Sequence, residues 1–111
     1  MAEKIKVIIK RPDEPVGHTT TINNTLERFQ MIVKGYIETV TLGSSLVMIC
    51  NEEGKIHGLE KNFYMGIDPF FADVICGTVV ICGTDGEEFL DIPISIDQWK
   101  MMLELWGNET G

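Results

Sequence analysis

The sequence is short of basic residues, and this shortage limits the partners that it can bind. Among 111 residues, 9 are lysine or arginine and 17 are aspartate or glutamate, which gives a formal net charge of −8. Non-specific binding to a nucleic-acid backbone requires clustered lysine and arginine, and here these residues are scattered. We therefore expect no direct nucleic-acid binding. The acidic surplus fits simple solvation of the surface, a basic partner surface, or mimicry of nucleic acid.

Histidine and cysteine are also scarce, with two and three residues. A zinc site requires closely spaced cysteine or histidine pairs, and Cys50, Cys76 and Cys82 do not have such a spacing. A catalytic nucleophile requires a base and an orienting group within reach, and neither His18 nor His57 lies in a motif of that kind. The sequence thus predicts no metal, no cofactor and no enzyme activity, and it predicts three buried thiols.

Long apolar runs are absent too. The first residues, MAEKIKVIIKRP, contain only a short hydrophobic stretch interrupted by charges, well below the ~18 apolar residues that span a bilayer. An odd number of cysteines without a recognisable signal peptide indicates a reducing compartment. We expect a cytoplasmic protein with no membrane contact, folded as a single domain over residues 1–111. Its oligomeric state, with a homo-oligomer among the options, stays open.

Apolar periodicity predicts several strands in the first half of the chain. Residues 3–10 alternate as a half-buried strand whose lysines suit a sheet edge. A three-strand meander is expected from 36–42 through the apolar strand 46–50 to a strand over 55–59, with NEEG as the tight turn before the last strand.

The second half of the chain is less regular. Residues 60–71 are expected to be irregular, with a short turn near Asp68, because Gly66 and Pro69 prevent a long helix. The segment 73–83 is the most apolar stretch of the sequence. It is either one buried strand with a bulge at Gly77 or two short strands.

Two helices complete the prediction. The first starts at a capping-box-like Asn24 and ends at Gly35, which is expected to take the left-handed conformation. The second starts at Ser95, with Gln98 as its capping-box partner, and ends at Gly107. Its apolar stripe, which contains both tryptophans, is expected in the core. The whole pattern indicates an α+β, two-layer domain with a mainly antiparallel sheet of about 5–6 strands and two short helices.

Four phrases together resemble a known family. NTLERFQMIVKGYIETV, ICNEEGK, GLEKN and DVICGTVVICG match, in order and spacing, the small proteins grouped as domain of unknown function 3846. The resemblance implies an origin in phages, plasmids or integrated elements of bacteria, and it implies no reaction. The polar residues and the glycine that the family shares in these phrases fall on Glu38, Asn51, Glu52, Glu53, Gly54, Lys55, Asn62 and Asp73.

The stretch CNEEGKIHG, residues 50–58, supplies most of the candidate site. Two glutamates in a solvated turn keep ordinary acidity, which argues against acid–base catalysis. Gly54 is expected to have a positive φ in this turn. We interpret the stretch as a polar hairpin tip that, with a neighbouring loop, contacts a partner without performing chemistry. The candidate binding residues are Asn51, Glu52, Glu53, Lys55, His57 and Asn62.

The function that we expect is that of a non-enzymatic, small acidic accessory protein of a phage or mobile element. It would bind a host protein or protein complex, as a candidate inhibitor or counter-defence protein. The alternative is a module that binds or sequesters a nucleotide-like small molecule, with Lys55 and turn amides meeting the anion.

Overall fold

Eight strands and two helices form the fold of the residues that the structure describes. The structure is a computed structural model and describes residues 3–66 and 72–111. In chain order the elements are β1 Lys4–Lys10, β2 His18–Asn23, α1 Leu26–Val33, β3 Ile37–Thr41, β4 Leu46–Asn51, β5 Lys61–Met65, β6 Asp73–Cys76, β7 Val79–Thr84, β8 Phe89–Leu90 and α2 Ile96–Leu105. Within these ranges, neither helix has the length and hydrophobicity to cross a membrane.

The main sheet is antiparallel and has the strand order β2-β1-β7-β4-β3, with the short β8 beside β7. Strands β5 and β6 form a separate antiparallel pair. The expected edge position of β1 is wrong, because β1 lies between β2 and β7. Its lysines Lys4 and Lys6 can remain exposed because β7 pairs only with the last three residues of β1, from Ile8 to Lys10.

Both faces of the main sheet are covered. Strand β4 is buried at all six positions and β7 at five of six. Phe29 and Val33 of α1 pack against one face. Trp99 and Leu103 of α2, together with Phe63 of β5, pack against the other. The α+β class, the mainly antiparallel sheet and the two short helices are confirmed.

The two helices lie on opposite faces of this sheet, whereas a strict two-layer domain has cover on one face only. The reason is the composition of the central strands. A strand that is apolar on both sides must be covered on both sides, and β4 reads LVMICN without the alternation of a half-exposed strand.

The chain does not return to the sheet after β4. The predicted third strand of the meander, over 55–59, is wrong, because these residues form turns. Strand β4 already has β3 on one edge and β7 on the other. No edge is left for another strand, and the next strand, β5, pairs with β6 instead.

The structure shows which of the two predicted arrangements residues 73–83 adopt. Residues 73–83 contain two short strands rather than one bulged strand, and Gly77 lies between them with φ +84°. Part of the segment 60–71 that was expected to be irregular forms β5. The predicted turn near Asp68 lies outside the described residues.

The predicted cap of α2 is confirmed, whereas the predicted cap of α1 at Asn24 is wrong by one residue. Helix α1 is capped by Thr25, one residue after Asn24, and the Thr25 hydroxyl accepts from the amide of Arg28 at 3.2 Å. Helix α2 has a complete capping box. The amide of Gln98 donates to the Ser95 hydroxyl at 3.1 Å, and the amide of Ser95 donates to the Gln98 side chain at 2.8 Å.

Three aromatic rings join α2 to β5. Trp99 meets Phe63 edge-on with 5.6 Å between ring centroids, and Trp106 stacks on Phe63 at 6.1 Å. The indole N–H of Trp99 donates to the carbonyl of Val16 at 2.9 Å. The prediction that the tryptophan stripe lies in the core is confirmed for Trp99, which is fully buried. These rings hold the β5–β6 pair against the main sheet.

A buried lysine–asparagine pair joins β1 to β5. Lys10 is only 3% exposed, and its Nζ donates to Asn62 Oδ1 at 2.5 Å. The Asn62 amide nitrogen donates to the carbonyls of Lys10 and Gly77, both at 2.8 Å. Burial lowers the pKa of Lys10, against the opposing effect of the nearby carboxylates Glu14 and Asp13.

Replacing Asn62 with alanine should lower the free energy of unfolding by about 3 kcal/mol, because it leaves two carbonyls without donors and removes the shortest hydrogen bond of the Lys10 ammonium group. Urea unfolding followed by circular dichroism measures this loss. The double variant with Lys10→Met should lose less than the sum of the two single variants, since it removes both polar partners at once. Additive losses would contradict the pairing.

Candidate functional site

Four of the six candidate residues, Glu52, Glu53, Lys55 and His57, lie in a segment that we call the β4–β5 loop, residues 52–60. The amide of His57 donates to the carbonyl of Glu53, and the amide of Leu59 donates to the carbonyl of Gly54, both at 2.9 Å. These bonds span four and five residues, as in a helical turn. The loop is therefore a compact series of turns between two sheets and not the hairpin tip that the sequence indicated.

Asn51, the last residue of β4, anchors this loop to the end of α1. Its side chain is buried, and Nδ2 donates to the carbonyls of Val33 at 3.0 Å and Lys34 at 3.2 Å. The last carbonyls of a helix have no donors within the helix, and the Asn51 amide supplies the missing donor groups. Its Oδ1 accepts from the amide of Glu53 at 2.8 Å. Asn51 is thus a positioning residue for the loop.

Gly35 and Gly54 are required for close packing rather than for an unusual φ. The left-handed position at the end of α1 is taken by Lys34, with φ 63°, and neither glycine has a positive φ. Both expectations of a left-handed glycine are therefore wrong. A Cβ on Gly35 would lie 2.6 Å from Asn51 Nδ2, and one on Gly54 would lie 2.9 Å from the carbonyl oxygen of Cys76.

The β4–β5 loop forms one wall of a cleft with a volume of about 350 Å³, which we call the acidic cleft. The other walls come from β3, the end of β4, and the β5–β6 pair. Its apolar floor contains Val40, Cys50, Met65 and Ile75. Its charged residues are Glu38, Glu52, Glu53, Lys55 and Asp73.

The charges around the acidic cleft are unbalanced. Lys55 forms an ion pair with Asp73, and this hydrogen bond raises the pKa of Lys55. Glu38 and Glu52 make no ion pair with any residue in the described ranges. Among those same residues, no three histidine, cysteine, aspartate or glutamate side chains are grouped closely enough to hold a metal ion.

A second cleft of about 350 Å³ lies on the other side of the β4–β5 loop. Tyr36 lines it and is 75% exposed. His57 lines it as well, with Nε2 at 2.8 Å from Glu53 Oε2. The loop therefore stands between two clefts, and it presents glutamates to both.

Five of the six predicted site residues line these two clefts, and Asn62 is the exception. Asn62 lines a different cavity, beside Lys10, and its side chain is hydrogen-bonded inside the protein. Tyr36, Glu38 and Asp73 also line these clefts, although they are not among the predicted site residues. Only the family resemblance pointed to Glu38 and Asp73, and no sequence signal pointed to Tyr36.

Two of the three thiols are buried and hard to ionise. Burial, followed by the charges of Glu38 and Asp73, raises the pKa of Cys50 to about 11. Burial raises the pKa of Cys82 to about 12. The prediction of a buried thiol is confirmed for these two, whereas Cys76 is half-buried.

Replacing Gly35 with alanine should destabilise the protein by about 2 kcal/mol, because the added methyl displaces the Asn51 amide from the end of α1. Gly43→Ala is a matched control, since a Cβ there meets only Leu46 at an ordinary 3.9 Å. Urea midpoints compare the two variants. Equal midpoints would show that Asn51 can move without cost.

The thiols should differ in their reaction with iodoacetamide at mildly alkaline pH. The thiolate is the reactive form, so Cys76 should be alkylated first, and Cys50 and Cys82 should react only after unfolding. Peptide mass spectrometry at increasing times gives the order, with protein in urea as the control. Early modification of Cys50 would contradict its burial.

Comparison with known proteins identifies a family. No curated protein and no solved structure matches the chain significantly. A family model described as "Domain of unknown function (DUF3846)" matches residues 5–104. This range holds nearly all of both sheets and both helices, together with the whole β4–β5 loop, and it confirms the resemblance that the sequence phrases indicated. The chain belongs to the DUF3846 family.

Proposed function

We propose that this protein is a non-enzymatic binding protein whose acidic cleft and β4–β5 loop hold a basic surface of a macromolecular partner. The observation that carries the proposal is the unpaired charge at the cleft. Glu38 and Glu52 have no cationic partner among the described residues, and Lys55 is already paired with Asp73. The net charge of −8 adds a long-range field of the same sign.

The shape of the cleft suits a lysine or arginine side chain of the partner. Val40, Met65 and Ile75 line the same cleft as the carboxylates and offer apolar contacts. Lysine and arginine bury their methylene stems against such surfaces and keep the charged end near polar groups. An arginine can also make two parallel hydrogen bonds to one carboxylate.

Tyr36 supplies a second kind of contact beside the same loop. It is one of the most exposed large side chains among the described residues. Tyrosine is enriched at the energetic centres of protein interfaces, and a cation can stack on its ring. A partner that reaches from the acidic cleft across Glu52 would meet this ring.

The partner that we propose is a host protein or protein complex, and the proposed role is that of an inhibitor or counter-defence protein of a phage or mobile element in the cytoplasm. Charge supports this choice. Proteins that handle nucleic acids present basic surfaces, and complementary charge accelerates docking to such surfaces at low salt.

A small-molecule ligand is the second candidate, because the acidic cleft has a volume within the range of ligand pockets. A nucleotide-like anion has weaker support, since Lys55, the one cation among the described residues of the cleft, is engaged by Asp73. Native mass spectrometry of the protein purified from infected cells would detect a retained small molecule and favour this candidate.

Replacing Glu52 and Glu53 together with glutamine should leave the fold intact and weaken binding of a basic probe. The probe is a short peptide of alternating lysine and threonine. We expect about a five-fold loss of affinity at low ionic strength, because each exposed charge pair contributes only about 0.2–1 kcal/mol. Isothermal titration calorimetry measures the affinity, which should fall as salt is added.

Glu87→Gln with Glu88→Gln is the matched control, since it removes two adjacent glutamates from the turn between β7 and β8. This variant should bind the peptide nearly as well as the wild type. An equal loss in both double variants would mean that net charge alone matters and that the cleft is not the site. Absence of peptide binding by the wild type at low ionic strength would overturn the proposal.

A further inference from the structure

Strand β3 ends the main sheet, and no residue in the described part of the chain pairs with its outer side. Its register with β4 is regular from Ile37, opposite Asn51, to Thr41, opposite Val47. The strand, IETVT, has no lysine, no proline and no bulge. Lysines, prolines and bulges in an edge strand usually prevent it from pairing with another chain. Within residues 3–66 and 72–111, strand β3 is therefore an edge without these protective features.

Hydrogen bonds at the two ends of β3 show which backbone groups are free. The amide of Leu42 donates to the carbonyl of Leu46, and the amide of Glu52 donates to the carbonyl of Tyr36, both at 2.9 Å. The even-numbered residues of this strand therefore face β4. In an antiparallel pair, the residues between them turn their N–H and C=O the other way. The outward-facing groups belong to Ile37, Thr39 and Thr41.

The surroundings of this edge determine which kind of strand can pair with it. Glu38 and Val40 line the acidic cleft, so an added strand would place every second side chain on the cleft face, beside Glu38. Next to the opposite edge strand, β2, the exposed charged side chains of β1 are lysines. There, the exposed Lys4 and Lys6 of β1 are paired with β2, with Lys6 directly opposite Thr21.

We propose that β3 takes up an extended, lysine- or arginine-rich segment of a partner polypeptide as an additional antiparallel strand. The proposal rests on the proposed function and specifies how the basic partner is held. Backbone hydrogen bonds to the free groups of β3 provide affinity, and cationic side chains over the acidic cleft provide specificity. A second copy of this chain is disfavoured, because Glu38 would meet an acidic face on a molecule of charge −8.

A proline placed in β3 tests the edge directly. The N–H of Thr39 points away from β4, so Thr39→Pro keeps the internal pairing and removes a donor that only an added strand uses. Thr21→Pro is the matched control, because the bond from the amide of Asn24 to the carbonyl of Glu3 makes the odd-numbered residues of β2 face outward. Thr39→Pro should weaken binding of the lysine–threonine peptide about ten-fold, and Thr21→Pro by less than about two-fold.

Methylated peptides test the same contact on the wild-type protein, including the case in which Thr39→Pro does not fold. When the peptide lysines lie opposite Glu38 and Val40, over the cleft, the peptide threonines lie opposite Ile37, Thr39 and Thr41 as hydrogen-bonded pairs. Methylation of the threonine backbone nitrogens should therefore abolish binding. Methylation of the lysine backbone nitrogens should leave binding nearly unchanged. The two methylated peptides have the same charge and composition.

The outcomes distinguish binding by strand addition from binding of the basic peptide in any other way. Equal binding of the two methylated peptides, with affinity still dependent on Glu52 and Glu53, would overturn strand addition and leave the proposed function standing. No binding of the unmodified peptide would overturn both. A wild-type dimer in sedimentation that Thr39→Pro dissociates would show that a second copy occupies the edge, which also overturns a basic segment as its occupant.

Discussion

The burial of β4 and β7 on both faces is the constraint on which the rest of this structure depends. These neighbouring strands are apolar on each side, and each large apolar side chain that leaves water contributes about 1.5–3 kcal/mol. One helix cannot cover both faces. Helix α1 therefore covers one, and α2 covers the other together with the β5–β6 pair. The less apolar strands β2 and β3 are left at the edges of the sheet.

The same constraint creates the candidate site. Because β4 is paired on both edges, the chain that leaves it at Asn51 must cross from the main sheet to the β5–β6 pair. Asn51 fixes this crossing to the end of α1 through its amide. The acidic cleft is the space that remains between the two sheets, closed by the loop. The carboxylates of Glu38 and Asp73 come together there although they lie on different strands of different sheets.

Local signals in the sequence predicted local structure well. The capping box of Ser95 and Gln98, the buried Trp99 and the buried Cys82 all follow from patterns within a few residues. Such patterns failed where two distant segments touch. Gly35 marks the end of α1. Glycine is required there because the amide of Asn51 lies against it, and not because of its φ. The local sequence around Gly35 does not indicate that contact.

The sequence by itself determined the α+β class, the net charge of −8, the start of α2 and a polar segment after β4, because each depends on composition or on short-range hydrogen bonds. The tertiary structure alone decided that β4 is paired on both edges, that β3 lies at the end of the described sheet, and that Asn62 is bonded to Lys10 rather than to the β4–β5 loop. The physical reason is sequence separation. The bond between Lys10 and Asn62 spans 52 residues, and only the packing of both sheet faces brings such partners together.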